Sequence, residues 1–130
     1  MGERFFVGSG AVLAGLGVAA GAMGTHLLKE TWQLPPEKLE TFEVAVRYQM
    51  YHALALILVG LLWPRCASRV LAAAGGLMLV GIVLFSGGVY AYLATGIKPF
   101  VHVVPIGGTL WIVAWLLLAV AVSLSRRNAA

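Results

Sequence analysis

The sequence predicts an all-α integral membrane protein, a four-helix bundle running up-down-up-down with its second helix extended beyond the membrane on the non-cytoplasmic side. Three observations carry this. The 130 residues are 61% hydrophobic and only 11% charged, against roughly half apolar and a quarter charged in a soluble domain. The few charges fall in clumps between long apolar runs instead of being spread over a surface. Four runs, at about residues 5–28, 43–63, 70–94 and 106–124, meet or approach the ~20 residues a helix needs to cross a bilayer. They are continuous, without the period-2 alternation of barrel strands, so helices are the spanning solution. Residues 1–130 are read as one domain.

The first helix, about 5–28, has small residues such as Ala19, Ala20 and Ala22 that resemble the end of a signal peptide. It is longer than an apolar signal region of roughly 7–15 residues, and three further apolar segments follow it, so it is read as a retained span. Phe6 stands where a myristoylation signal has Ser or Thr. Gly10, Ala14, Gly17, Gly21 and Gly24 recur at helical spacing, with Gly8, Ala11, Gly15, Ala19 and Ala22 beside them. Such faces let helices approach closely in lipid, where packing supplies the cohesion. Either the stripe is a dimerisation face or, the preferred reading, this helix lies at the centre of its own bundle.

The second helix is read over 36–63, opening on Pro36 in a first-turn position with Glu37, Glu40 and Glu43 early. About 28 residues at 1.5 Å each reach roughly 42 Å, well over the ~30 Å hydrocarbon thickness, so its first turns protrude. Helices three and four follow at about 70–94 and 106–124, joined by connections read over 64–69 and 95–105. Such short connections make consecutive helices antiparallel neighbours. One side carries Arg4, Arg65, Arg69, Arg126 and Arg127; the other carries Lys29, Lys38, Arg47 and Lys98. The compact arginine clusters predict both termini on the cytoplasmic side of a bacterial inner membrane, or on the equivalent matrix side of an organelle.

The net charge of +4 comes without a basic stripe or an aromatic-interleaved basic patch, so nucleic acid is not an expected partner. Cys66 is the single cysteine, which excludes an internal disulfide or a CxxC motif. The chain contains no Asp, and no GxSxG, P-loop, HExxH or CxxCH motif. Neither an enzymatic activity nor a cofactor is expected.

The polar side chains gather at the non-cytoplasmic end. Tyr48, Gln49 and His52 share an arc of helix two, while Glu43 and Arg47 form an i,i+4 ion pair on another arc. His26 ends helix one, Ser86 and Tyr90 lie towards the end of helix three, and His102 precedes helix four. Groups at this depth face the bundle interior or a wet cavity. His26, Tyr48, Gln49, His52, Ser86 and Tyr90 are therefore the candidate ligand-binding or polar cluster, with His26 and His52 in one group at the outer end of helices one and two and Tyr90 as third member. The plainer reading, which is preferred, makes these residues interhelical hydrogen-bonding glue. A metal site built from His26, His52 and His102 is a minor alternative, because no HxxH or HxxxH pair exists and three elements would have to converge. A His/Met copper site through Met23 is weaker still, since methionine is more often core filler.

Gly21-Ala22-Met23-Gly24-Thr25-His26, Tyr48-Gln49-Met50-Tyr51-His52-Ala53, Phe85-Ser86-Gly87-Gly88-Val89-Tyr90 and Pro105-Ile106-Gly107-Gly108 followed by Trp115 recur in an order and spacing that resemble the YgdD/YwdK-like family. These are small bacterial inner-membrane proteins of unknown function with a small mitochondrial relative in animals. The resemblance covers almost the whole chain. It implies the four-helix membrane architecture and importance for His26, Gln49, His52 and Tyr90, and it carries no activity. Met23 and Thr25 replace the family's Phe and Ala, which alters the lining near His26.

The expected function is that of a non-enzymatic structural or accessory subunit, its partners being the lipid bilayer and a larger membrane complex or further copies of itself. The alternative is a small binding or conducting protein whose His/Tyr/Gln-lined cavity takes a metal ion, a proton or a lipid-like molecule.

Overall fold

The computed structural model describes residues 2–66 and 68–128, with the backbone alone for Thr25 and residues 126–128. Met1 and Ala67 lie outside the described residues, as do the side chains of Arg126 and Arg127 that entered the orientation count. The chain is almost entirely helical: α1 is Gly2–Thr31, α2 Pro36–Cys66, α3 Arg69–Thr95 and α4 Pro99–Asn128. All four are long and apolar enough to cross a membrane. Two contain π-helical stretches, Gly24–Thr31 closing α1 and Val83–Gly87 within α3.

The end of α2 and the start of α4 run past the expected boundaries because the prolines there do not stop a helix. α4 begins at Pro99 instead of near residue 106, so most of the segment read as a loop, His102 included, is helical. Pro99 sits where its missing N–H has no intrahelical bond to lose. The first turn then closes through Phe100 N–H to Ile97 O at 3.3 Å and Val101 N–H to Lys98 O at 2.9 Å. Pro105 follows inside the helix, close enough to its start that the loss is confined to the Val101 carbonyl. Pro64 is likewise inside α2, in its last turn. There the Ser125 hydroxyl donates to Arg65 O at 2.8 Å, tying α4 to the end of α2. Ser68, extended at φ −154°, accepts from Leu71 N–H at 3.1 Å and starts α3, a cap worth about 1 kcal/mol. Gly96, at φ 71°, ends α3 in a left-handed conformation that favours glycine.

The first small-residue stripe of α1 is a seam against α2. A Cβ on Gly10 would lie 2.6 Å from Ala53 O and 2.8 Å from Ile57 Cγ1; one on Gly24 would lie 2.8 Å from Phe42. Between them Gly17 faces Gln49 and Met50, and Gly21 faces Val46. The contacts step backwards along α2 as they step forwards along α1. Gly60 of α2 returns the arrangement, lying against Val7 and Glu3 O. The second stripe turns away: Gly8, Ala11, Gly15, Ala19 and Ala22 are exposed. α1 is thus an edge helix packed chiefly on α2, not the centre of the bundle, because one narrow face of small residues matches one partner.

α3 and α4 form the other intimate pair, and the two pairs meet chiefly along α2 and α3. Gly81 makes room for Trp111, Gly88 for Phe100 and Val103, and Gly107 for the backbone of Phe85. The apolar core lies between α2, α3 and α4, where Leu56, Val59, Leu71 and Met78 are fully buried.

Candidate functional site

Two polar stitches leave α2 on adjacent faces. Gln49 is 4% exposed and spans three helices: its Nε2 donates to Leu13 O of α1 at 2.8 Å, and its Oε1 accepts from the Tyr90 hydroxyl of α3 at 2.9 Å. One turn earlier, Ser86 of the π-helical stretch donates to Ala45 O at 2.7 Å, fully buried. A widened turn re-aims the side chains that follow it, and here the same stretch presents Phe85 to α4 and Ser86 to α2.

His52, 4% exposed, belongs to the second stitch. Its Nδ1 lies 2.8 Å from Tyr48 O, which only accepts, so the ring proton sits on Nδ1. Nε2 then accepts from Trp115 Nε1–H at 3.2 Å. The imidazole stacks on Trp111 with centroids 3.8 Å apart and planes at 5°. Trp111 in turn donates to Met78 O at 3.1 Å, and Tyr48 and Phe85 pack around it. With Pro105, Thr109 and Ile112 these rings border an open groove of about 580 Å³ between α2 and α4. Among the described residues no buried side-chain nitrogen or oxygen lacks a hydrogen-bond partner.

Gln49, Tyr90, Ser86, Tyr48 and His52 therefore lie near one another, but the single arc expected on α2 divides between neighbours. Gln49 reaches α1 and α3, while His52 reaches α4. His26 is not part of either stitch. Its side chain is 76% exposed on the π-helical end of α1, with Nδ1 3.8 Å from Glu30. The expected pairing with His52 fails for two reasons. Gly24 lies beside Phe42, so His52 is ten residues deeper along α2, about 15 Å; and His52 faces α4, whereas α1 packs on another side of α2. His102 is exposed in the first turns of α4. The three histidines do not converge, and among the described residues no group of three metal-ligating side chains does. Glu43 and Arg47, expected as an ion pair, form no salt bridge; both are exposed along a groove between α1 and α2.

Sequence reasoning did not assign the rings that hold His52 to the cluster: Phe85 and Trp115 stood only in the blocks that carry the resemblance, and Trp111 was passed over. The signal available was the i,i+4 spacing of Trp111 and Trp115 on one face of α4.

Four long apolar helices joined by buried hydrogen bonds define a small multi-pass membrane protein. The chain belongs to the family described as Protein of unknown function (DUF423), whose model matches residues 20–108. It is 37% identical over 118 residues to a UPF0382 membrane protein of Staphylococcus aureus (strain bovine RF122 / ET3-1), covering 91% of this chain and 94% of that one. It is 37% identical over 119 residues to the UPF0382 membrane protein YwdK of Bacillus subtilis (strain 168), covering 91% and 95%. A third relative, from Staphylococcus saprophyticus, is 38% identical over 117 residues, or 90% and 95% of the two chains. No solved structure matches the chain.

Proposed function

We propose that this chain is a non-enzymatic structural or accessory subunit of a bacterial inner membrane, one domain crossing up-down-up-down with both termini cytoplasmic and the start of α2 projecting outside. The supporting observation is that the polar cluster is spent on holding helices together. His52 has one N–H and one lone pair, and both are used within the chain. Gln49 joins α1, α2 and α3 in one residue. The exposed small-residue face of α1 suits close approach of another helix, in a complex or in a second copy. Purification in a mild detergent is expected to yield a stoichiometric protein partner or a stable homo-oligomer; a monodisperse monomer that no crosslinker couples to another protein in cells overturns the reading.

A second reading, a binding protein for a lipid-like molecule, rests on Tyr90, which lines two apolar clefts between α1 and α3 of about 270 and 370 Å³. An organic ligand retained by the isolated protein, and lost in Tyr90→Ala, would favour it.

The orientation has its own test. In a Cys66→Ala background, a cysteine at Trp32 is expected to react with an impermeant maleimide in intact cells and one at Asn128 to be shielded. The opposite pattern inverts the topology.

A further inference from the structure

We propose that the groove between α1 and α2 binds the headgroup of a phosphatidylethanolamine, with its phosphate at Arg47 and its ammonium at Glu43. The groove holds about 220 Å³ and is walled by Gly21 and Gly24 on α1 and by Leu39, Phe42 and Val46 on α2, with the two charged side chains at its edge. Glu at i and Lys or Arg at i+4 is the favourable order for a helical ion pair, yet Glu43 and Arg47 form none. Among the described residues neither side chain has a hydrogen bond or ion pair within the chain. Both charges are left for something outside it.

Their depth says what. From Arg47 to Arg65 α2 carries no charged residue, and those eighteen steps cover about 27 Å, close to the ~30 Å hydrocarbon thickness. Arg47 therefore stands at one boundary of the hydrocarbon, where phosphates lie. Glu43 stands four residues further out, about 6 Å along the axis. In phosphatidylethanolamine the phosphate is next to the glycerol and the ammonium lies beyond it. The protein presents the complementary order, positive inside and negative outside. A guanidinium matches phosphate oxygens, and a carboxylate accepts from the three N–H groups of a primary ammonium. The apolar walls at Leu39, Phe42 and Val46 suit the carbon atoms between them. This inference stands independently of the accessory-subunit reading.

The test is lipid retention, counted by native mass spectrometry after exchange into nanodiscs of equal dioleoyl phosphatidylethanolamine and dioleoyl phosphatidylglycerol. The wild type is expected to keep the ethanolamine lipid over the glycerol lipid by about tenfold, the worth of one charge-assisted hydrogen bond. Glu43→Gln is expected to erase that preference, Arg47→Gln to lose both lipids, and Lys98→Gln to match the wild type. Both tested side chains are exposed and unpaired, so their variants should keep the wild-type melting curve, which is measured alongside. Equal retention of the two lipids by the wild type, or undiminished retention in Arg47→Gln, overturns the proposal. Displacement of the retained lipid by soluble phosphoethanolamine overturns the lipid as the source of the headgroup.

Discussion

Trp111→Ala is expected to be the most damaging single truncation in the chain, costing about 3–5 kcal/mol. The residue is 3% exposed and joins three elements at once: it stacks on His52, donates to Met78 O at 3.1 Å and packs over Gly81. Its removal opens a void between α2, α3 and α4 and frees the imidazole that fixes Trp115. Trp115→Ala, at a position 43% exposed, is expected to cost much less. Thermal unfolding in detergent, followed by circular dichroism, compares the two; equal midpoints would mean that Trp111 does not pack between the helices.

Gly10→Leu is the second large effect, an overpacking of about 1–3 kcal/mol or more. A Cβ there would stand 2.6 Å from Ala53 O, and a backbone carbonyl inside a helix cannot step aside. Gly76→Leu on α3 serves as the control, because nothing lies within 4 Å of its Cβ position. Gly17 and Gly21 are more forgiving, since their nearest neighbours are side-chain tips at 3.4 and 3.7 Å. If Gly10→Leu and Gly76→Leu melt alike, the seam is not where α1 and α2 touch.

The four helices were legible because length and apolarity alone decide them. Their ends were not, because Pro64 and Pro105 read as stops although proline near a helix end forfeits little hydrogen bonding. Gln49, Ser86 and Tyr90 were visible as polar groups inside apolar runs, whereas Trp111 is as apolar as its surroundings and looked like ordinary lipid-facing bulk. His26 was misplaced because the helical wheel gives direction but not height: Gly24 lies level with Phe42, ten residues before His52. The π-helical stretch that positions Ser86 left no mark that hydrophobic pattern could reveal.

The bond from Gln49 to Leu13 O is, in addition, a latch on the edge helix. Peeling α1 from α2 strands an amide N–H in hydrocarbon, where no water can replace the carbonyl it loses. Partial detachment gains no solvation and keeps the whole penalty, so α1 opens all at once or not at all. Crosslinks between cysteine pairs placed along the α1–α2 seam should accordingly be lost together, as a cooperative unit, and not progressively from one end.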